Sequence, residues 1–412
     1  MFRVGIRQFR YTCVCAIILL LPFMSYVRIG GKTLNISYAD IVLPPALLLT
    51  FTKTFHVDDS RLKKYIKHMG FLLAITVCSV FNAVKWENVG ASLRGFAISM
   101  LKLLVCLGYI HVFSHFLSEN KQKVRQIIDL FVFSSVADAA LAYVGVALRA
   151  AGIRNAFVYQ NSFRACGSFS DPNLFACFLF IGLYLTIYNL QRLKKNKYLF
   201  AAFFQIGAIL LTASKAAILA LIAFSGFLLI GILVKPRKRY RISSLLAIMA
   251  ILSLFLALAF GTDVFKNSFN RFNTLLNSDN DDISTGRFTI WARSLKLIAD
   301  SPILGVGLGM HNVAAQQLLY TSSDFVFHNT YLNYIVELGV FGLFWTITAV
   351  RYVLKCQIIM LKAEKNYQLL GLLIAILLMV FTLDLENFRN LWVFFCLLMQ
   401  LTTKTTTENG NE

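Results

Sequence analysis

The sequence predicts an all-α polytopic membrane protein. Of its 412 residues, 58% are hydrophobic and 15% are charged, and the mean hydropathy is +0.66. A water-soluble globule of this size fills its core with a smaller apolar fraction. Apolar stretches of roughly 20 residues, long enough for a helix to cross a hydrocarbon layer of about 30 Å, recur about twelve times along the chain. We therefore expect about twelve transmembrane helices.

The predicted spans follow one another with short connections, apart from one long loop before the tenth span. Residues 198–234 form an apolar run that is too long for one helix. We divide it at Thr212–Lys215, because buried polar side chains need a turn or a water-filled cavity. The spans are Cys13–Val27, Ile36–Phe51, Met69–Ala83, Leu93–Leu117, Ile127–Leu148, Asn173–Leu190, Tyr198–Thr212, Lys215–Val234, Ser243–Gly261, Thr330–Leu354, Leu369–Leu383 and Leu391–Leu401.

The positions of the basic residues predict the orientation of the chain, whose net charge is +20. With an even number of spans the basic clusters all fall on one face, so the positive-inside rule places both termini in the cytoplasm. The charge is thus expected to set topology and to contact anionic membrane lipid, and no nucleic-acid partner is predicted. The clusters lie at residues 3–10, 53–67, 121–125, 192–197, 235–241 and 355–365.

A minority of cations is predicted on the outer face, against this bias. They serve either as scattered anchors at the membrane interface or as ligands for an anionic substrate. These residues are Arg149, Arg154, Arg164, Lys215, Lys266, Arg271, Arg287, Arg293, Lys296 and Arg389.

The chain is expected to form a single integral membrane domain with a large outer loop, Thr262–His328. Within that loop Asn267–Asp282 is rich in Asn, Asp and Ser and is predicted as coil. The polar end, Thr402–Glu412, is predicted as a disordered cytoplasmic tail.

An amphipathic helix is predicted inside the outer loop, with Arg287 at its start. The segment RFTIWARSLKLIAD carries Phe288, Trp291, Leu295 and Ile298 at helical spacing, which gives one apolar stripe for the membrane surface or the bundle. Pro302 ends this helix. The alternate glycines that follow, at 305, 307 and 309, lack a GK[ST] sequence, so a turn with close backbone approach is favoured over a nucleotide loop.

The loop ends in HNTYLNYIVELGVFG, which carries a specific resemblance. His328 and Asn329, then Gly339 after nine residues, then Gly342, match the pattern of the O-antigen ligase and polymerase family of bacterial membrane glycan transferases. The other His-Asn pair, at 311 and 312, does not match, because position 322 is Ser where the pattern requires Gly.

Two further segments resemble the same family. RACGSFSDPNLFACFL begins at Arg164 and is similar to the family's arginine, glycine and Pro-Asn segment before a span. LTASKAAILAL is similar to its Ser-Arg segment, with Lys215 where an arginine is usual. Lysine keeps the charge but loses the bidentate fork, so a phosphate contact there would be to a point charge.

The resemblance implies transfer of a glycan from an undecaprenyl-diphosphate-linked donor to an acceptor hydroxyl, on the outer face of the bacterial cytoplasmic membrane. It implies an architecture akin to the lipid-donor (GT-C) glycosyltransferases. The acceptor is a glycan or lipid-linked molecule, in either polymerisation or ligation of surface polysaccharide. A flippase and a chain-length regulator are candidate partners. The alternative function is transport of lipid-linked glycans, which outward cations in a cavity would also serve.

Roles for individual residues follow from this resemblance. Arg287 and Arg164, with Lys215, are expected to bind the diphosphate, because fixed cations stabilise a leaving group that gains charge. His328 is expected to take the proton from the acceptor hydroxyl.

Three other residues are assigned to substrate binding or orientation. Asn329 would orient the imidazole or a sugar, or cap the following helix. Glu337 would reach His328 or an arginine. Arg389 would touch the acceptor sugar at an outer edge shared with Glu386, or form an ion pair.

No metal and no other cofactor are predicted. A divalent cation favours paired carboxylates, and the dense acidic cluster expected on the outer face, Asp279, Asp281 and Asp282, lies in the predicted coil.

Overall fold

The computed structural model is a helical bundle with one small hairpin, and it describes residues 2–29, 32–51, 57, 59–160, 163–234, 287–321, 325–364 and 366–409. The elements are α1 (Phe2–Leu20), β1 (Met24–Ile29), β2 (Lys32–Ser37), α2 (Ala39–Phe51), α3 (Ser60–Cys78), α4 (Val89–Glu119), α5 (Val124–Ala150), α6 (Pro172–Leu193), α7 (Asn196–Leu211), α8 (Lys215–Val234), α9 (Arg287–Asp300), α10 (His311–Leu319), α11 (Thr330–Glu364), α12 (Tyr367–Thr382) and α13 (Arg389–Asn409). Short 3-10 helices, Ser79–Lys85 and Lys121–Lys123, precede α4 and α5.

Several helices are suited to crossing a membrane. Within the described residues, five helical segments are long and apolar enough to do so: Ser60–Lys85, Val89–Glu119, Lys121–Ala150, Pro172–Leu193 and Thr330–Ala363. The shorter helices α2, α7, α8 and α12 are also apolar. The chain is therefore an all-helical, multi-pass membrane protein.

Most predicted spans coincide with helices, and the first requires a correction. Its predicted range, Cys13–Val27, ends inside β1, which pairs antiparallel with β2. Pro22 explains the break, because proline disfavours helix at the residue before it and lacks the N–H that a continuing helix needs. The ninth predicted span, Ser243–Gly261, and the coil Asn267–Asp282 lie outside the described residues.

The predicted break between the seventh and eighth spans is confirmed. Helix α7 ends at Leu211 and α8 begins at Lys215, with Ala213 between them at a left-handed φ of 47°. The Thr212 hydroxyl donates to Ile209 O, and the Ser214 hydroxyl donates to Asn173 Oδ1 at 2.7 Å. The polar side chains of the break are thus satisfied inside the protein.

Helix α6 lies at the centre of the bundle and packs against α5, α7, α8, α12 and α13. Asp171 precedes it and accepts hydrogen bonds from the N–H groups of Asn173 (2.6 Å) and Leu174 (3.2 Å). These bonds satisfy two of the amide donors that a helix leaves open at its N-terminus. The end of α6 that carries Asp171 and Asn173 is thereby fixed.

Helix α11 bends sharply at Gly339, whose φ of 60° and ψ of −142° are not helical. The bend frees carbonyls on its first segment. Val336 O accepts from the N–H of Val306 and Glu337 O from that of Gly307, each at 2.9 Å. A Cβ at Gly305 would collide with the Glu337 backbone. The predicted close approach at the alternate glycines is confirmed.

Gly339 and Gly342 both lie against backbone atoms. A side chain at Gly339 would meet the backbone of Ile303 and Gly305, and one at Gly342 would meet Tyr334 O within α11 itself. The two glycines therefore make room for the glycine turn and for the bend.

Helix α9 forms where the amphipathic helix is predicted, but its buried face differs from the predicted stripe. Leu297 is fully buried, and Ile290 and Ile298 pack against the same apolar cluster. Phe288 and Leu295 are each 62% exposed. Spacing alone fixes a helix's apolar residues but not which of them face the protein.

The tail prediction is also corrected for part of its length. Helix α13 continues to Asn409, so residues 402–409 are helical rather than coil. Extending a helix that is already nucleated adds one hydrogen bond for each residue it fixes, and polar residues can take part in that extension.

Candidate active site

The imidazole of His328 lies in the segment between α10 and α11, and its side chain is 45% exposed. Its Nδ1 is 3.2 Å from Oδ2 of Asp384. The same oxygen accepts the backbone N–H of His328 at 3.1 Å, and Oδ1 of Asp384 accepts the N–H of Asn329 at 3.3 Å. One carboxylate therefore holds both the ring and the backbone of the histidine.

The backbone at His328 is left-handed, with a φ of 49°. Few residues other than glycine adopt this conformation, and such strain is sustained only where surrounding contacts enforce it. Thr330 supplies such contacts, since its N–H and its hydroxyl both donate to Leu383 O, at 3.0 and 2.7 Å. Its hydroxyl oxygen accepts from Leu385 N in turn. The start of α11 is thereby joined to the turn that carries Asp384.

Asp384 is absent from the residues predicted from the sequence. It lies in TLDLEN, between the last two predicted spans, where only Glu386 and Arg389 drew attention. The sequence offered one signal for Asp384, a carboxylate in a turn that is predicted on the outer face. Its pairing with a histidine 56 positions away depends on the packing of α11 against α12, which the sequence does not show.

Arg287 is the first residue of α9 and approaches the same carboxylate. Burial lowers the pKa of its guanidinium, and the negative charges of Asp384 and Asp171 oppose that shift. Arginine remains protonated despite such shifts. Its Nε is buried and has no hydrogen-bond partner among the described residues. Arg287 thus lies within electrostatic reach of the carboxylate that holds His328 and of the carboxylate that caps α6.

Trp291 attaches α9 to the segment before the histidine. Its Nε1–H donates to Phe327 O at 2.8 Å, and its ring packs edge-on against Phe381 at 5.2 Å between centroids. Because Trp291 follows Arg287 by one helical turn, this attachment keeps the first turn of α9 beside the segment that precedes His328.

Arg164 lies at the end of α6 and bonds to the break between α7 and α8. Its Nε donates to Thr212 O at 3.0 Å, and Nη2 donates to Asn173 Oδ1 at 3.2 Å. Lys215 begins α8 directly after this break and is half-buried. Arg164 and Lys215 are therefore brought to one end of the bundle, beside Asp171. This residue caps α6, and its negative charge also acts on Arg287.

Asn329 caps α11. It is 4% exposed, and its Oδ1 accepts the N–H of Leu332 at 3.1 Å. Of the two roles considered from the sequence, the capping role is confirmed.

Glu337 is placed away from its expected partners. Its carboxylate accepts the N–H of Gly309 at 2.8 Å and lies 2.6 Å from Nδ1 of His311. It therefore holds the glycine turn, in contrast to the expected contact with His328 or an arginine.

Arg389 is 3% exposed and forms an ion pair with Asp40, at 2.8 Å between Nη2 and Oδ2. Its Nε also donates to the other oxygen of Asp40. The ion-pair alternative is confirmed, and burial keeps this guanidinium from an acceptor sugar. The partner is Asp40 rather than the neighbouring Glu386, because α2 packs against α4 beside it.

No group of three or more His, Cys, Asp or Glu side chains suited to a metal ion occurs in the part of the chain that the structure describes. The acidic cluster Asp279, Asp281 and Asp282 lies outside those residues.

Comparison with known proteins finds similarity to glycan-transferring enzymes. Residues 200–347 match a family model described as O-antigen ligase. A protein of Acinetobacter baylyi named "ComP-specific O-oligosaccharyltransferase" is 25% identical over 315 residues, which cover 73% of this chain and 50% of the relative. The chain is therefore similar to the O-antigen ligase family over residues 200–347. It spans about half the length of the relative it matches.

The match to the O-antigen ligase family covers the predicted site only in part. Residues 200–347 include Lys215, Arg287 and His328. Arg164 and Asp384 fall outside that range, before α6 and after α12, and it is the folded chain that brings them to the same end of the bundle.

Proposed function

We propose that the protein transfers a glycan from an undecaprenyl-diphosphate-linked donor to an acceptor hydroxyl, at the outer face of the bacterial cytoplasmic membrane. The observation that carries this proposal is that Asp384 contacts the ring of His328 and lies within electrostatic reach of Arg287. One carboxylate is therefore close to both the proposed base and a cation for the leaving group.

In the proposed reaction His328 acts as the base. With the Nδ1 hydrogen directed at Asp384, Nε2 keeps a lone pair for the acceptor hydroxyl. As the acceptor oxygen bonds to the sugar's anomeric carbon, its proton passes to Nε2. The carboxylate of Asp384 stabilises the imidazolium that forms, as orienting carboxylates do in other His-based sites.

The leaving group is undecaprenyl diphosphate, which gains charge as the bond from its oxygen to the anomeric carbon breaks. Arg287, whose buried Nε has no partner within the described residues, is suited to bind it. Arg164 and Lys215 supply further positive charge from the α6 and α7–α8 side. Because these cations can take the charge, we propose that catalysis is independent of a metal ion.

The architecture that supports this reaction is proposed to have about twelve spans, both termini in the cytoplasm and a GT-C-like arrangement. The exposed Phe288 and Leu295 on α9 fit a helix that contacts the membrane interface. A flippase and a chain-length regulator are proposed as partners of the enzyme.

The acceptor is proposed to be a surface glycan, a lipid-linked repeat unit or a protein hydroxyl. A protein hydroxyl is included because the relative is named a ComP-specific O-oligosaccharyltransferase. The half-exposed ring of His328 leaves the base open to any of the three.

The test uses the full chain in proteoliposomes with lipid-linked glycan from the host and with host membranes as the source of acceptor. His328→Asn is the informative variant, because asparagine tolerates a left-handed backbone but is no base. We expect a rate loss of roughly 10²–10⁴-fold. Asp384→Asn is expected to lower the rate as well, and the double variant to lose no more than His328→Asn does.

The same vesicles separate transfer from transport. Elongated or acceptor-linked glycan shows catalysis, whereas movement of the lipid-linked glycan across the bilayer without a new bond shows transport. Full product formation by a His328→Asn protein that inserts normally would disprove the proposed base.

A further inference from the structure

A cavity of about 550 Å³, lined by both polar and apolar residues, opens beside the residues proposed to bind the diphosphate. Its volume falls in the range of about 300–1,000 Å³ that is usual for small-molecule sites. Its polar lining includes Arg149, Arg154, Asn155, Tyr159, Gln160 and Asp171. None of the roles proposed above uses this space.

The cavity shares its wall with the proposed donor site. Residues 157–159 and 164–166 pair as a narrow hairpin, with hydrogen bonds of 2.9 Å from Tyr159 N to Arg164 O and from Cys166 N to Phe157 O. Arg164, at the base of that hairpin, reaches the α7–α8 break. Asp171 lines the cavity, and its negative charge also acts on the guanidinium of Arg287. A glycan that leaves a diphosphate held by Arg164 and Arg287 therefore meets this cavity.

The cavity lining carries more positive than negative charge. Arg149 and Arg154 contribute two cations, and neither forms an ion pair with any described residue. Asp171 is the acidic residue of the lining, and its carboxylate already accepts two N–H groups of α6. An anionic ligand is therefore favoured.

A purely structural role accounts for only one of the arginines. Arg149 lies in the last turn of α5, where a cation stabilises the helix C-terminus, and its guanidinium lies 5.7 Å from the centre of the Phe163 ring. Arg154 lies four positions beyond the end of α5, outside that field, yet it lines the same cavity. The amides of Asn155 and Gln160 add the hydrogen-bonding groups that sugar hydroxyls require.

We propose that this cavity binds the donor glycan through an acidic sugar, such as a uronic acid, whose carboxylate pairs with Arg149 and Arg154. This inference rests on the proposed function and names the class of glycan that the enzyme selects. Arginine suits the role because its planar guanidinium binds a carboxylate through two parallel hydrogen bonds.

The test compares the host's own lipid-linked glycan with the same material after its carboxyl groups are reduced to primary alcohols. Transfer is measured with the full chain in nanodiscs and host membranes as acceptor. For the unaltered protein, reduction is expected to raise the donor concentration for half-maximal rate by about tenfold, since charge-assisted hydrogen bonds are lost. The variant Arg149→Gln/Arg154→Gln should need that higher concentration for both donors.

Arg293→Gln is the matched control, because Arg293 is an exposed cation of the outer loop outside the cavity. It should discriminate between the donors as the unaltered protein does. If the double variant does not fold, Arg154→Gln alone, at an exposed loop position, should lose part of the discrimination.

Three results would overturn the inference. The unaltered protein could use both donors equally, the host glycan could contain no acidic sugar, or the double variant could still discriminate. A dependence on phosphatidylglycerol in place of phosphatidylcholine that disappears in the double variant would assign the arginines to lipid headgroups instead. Transfer of neither donor by the unaltered protein would contradict the proposed function itself, which separates the two failures.

Discussion

At the scale of single residues, Asp384 is the group that connects the proposed chemistry to the fold. It contacts the ring of His328, bonds to two backbone N–H groups at the start of α11 and lies within electrostatic reach of Arg287. Substitution of Asp384 is therefore expected to be costly. The loss of each contact would leave a strained backbone or a charged group without its partner. Two positions further on, Glu386 lies in the same turn.

Glu386 should make stability depend on pH. Burial raises the pKa of its carboxyl to about 7, and the charges of Asp384 and Glu337 add to the effect. Because this folded-state pKa exceeds the unfolded value of about 4.3, the stabilising contribution is full below about pH 4.3 and is lost as the pH rises towards 7. Glu386→Gln is therefore expected to raise the Tm of the detergent-solubilised protein at pH 8 and to change it little at pH 4.5.

The measurement for this prediction is thermal unfolding across that pH range, with Glu87→Gln as the control. Glu87 lies on an exposed part of the outer surface. An equal Tm change at both pH values would contradict the assigned pKa of Glu386.

At the scale of elements, the bend in α11 joins the outer loop to the membrane helices. Gly339 adopts a conformation open mainly to glycine, and the freed carbonyls bind the glycine turn after α9. Val340 N–H also donates to Pro302 O at 2.9 Å. The bend therefore sets the position of the segment that leads to His328, which precedes Gly339 by 11 residues, or about three helical turns.

Gly339→Ala should lower both stability and transfer. The backbone conformation alone costs an alanine of the order of 1–3 kcal/mol, and the added methyl would collide with Ile303 O. The expected results are a lower Tm and a lower transfer rate in proteoliposomes.

Gly70→Ala is the matched control for this prediction. Gly70 lies inside helix α3, and a Cβ there meets nothing within 4 Å. This substitution should stabilise by about 0.5–1 kcal/mol. If Gly339→Ala unfolds no earlier than Gly70→Ala, the bend does not depend on glycine.

At the scale of the whole molecule, the site lies at one end of the helical bundle. The residues that build it come from α6, the α7–α8 break, α9, the start of α11 and the turn after α12, so the sequence separation between them is large. An assembly of this kind is held by the packing of long helices around α6. Its end must face outward if the proposed orientation is correct.

That orientation is tested by cysteine labelling in a Cys78→Ser background, since Cys78 is an exposed natural cysteine. Tyr320, which is 91% exposed at the end of α10, is replaced by Cys. A membrane-impermeant maleimide should label Tyr320→Cys in intact cells. Lys197→Cys, in the first turn of α7, should be labelled only after the membrane is disrupted. The reverse result would place the site in the cytoplasm.

The sequence by itself determined the class of the protein and most helix positions, and it singled out His328 and Arg287 as the candidate base and cation. Hydrophobicity and helical spacing are local properties, so they can be read without knowledge of the fold. The break at 212–214 was also readable, because polar side chains in an apolar run need local satisfaction.

Only the tertiary structure decided which side chains meet. In the fold, Asp384 contacts His328, and Arg389 is buried in an ion pair with Asp40. Glu337 contacts His311, and Phe288 is exposed at the surface of the bundle. Each of these outcomes depends on how distant helices pack, and the free energy of such contacts is set by burial and geometry that residue order does not contain.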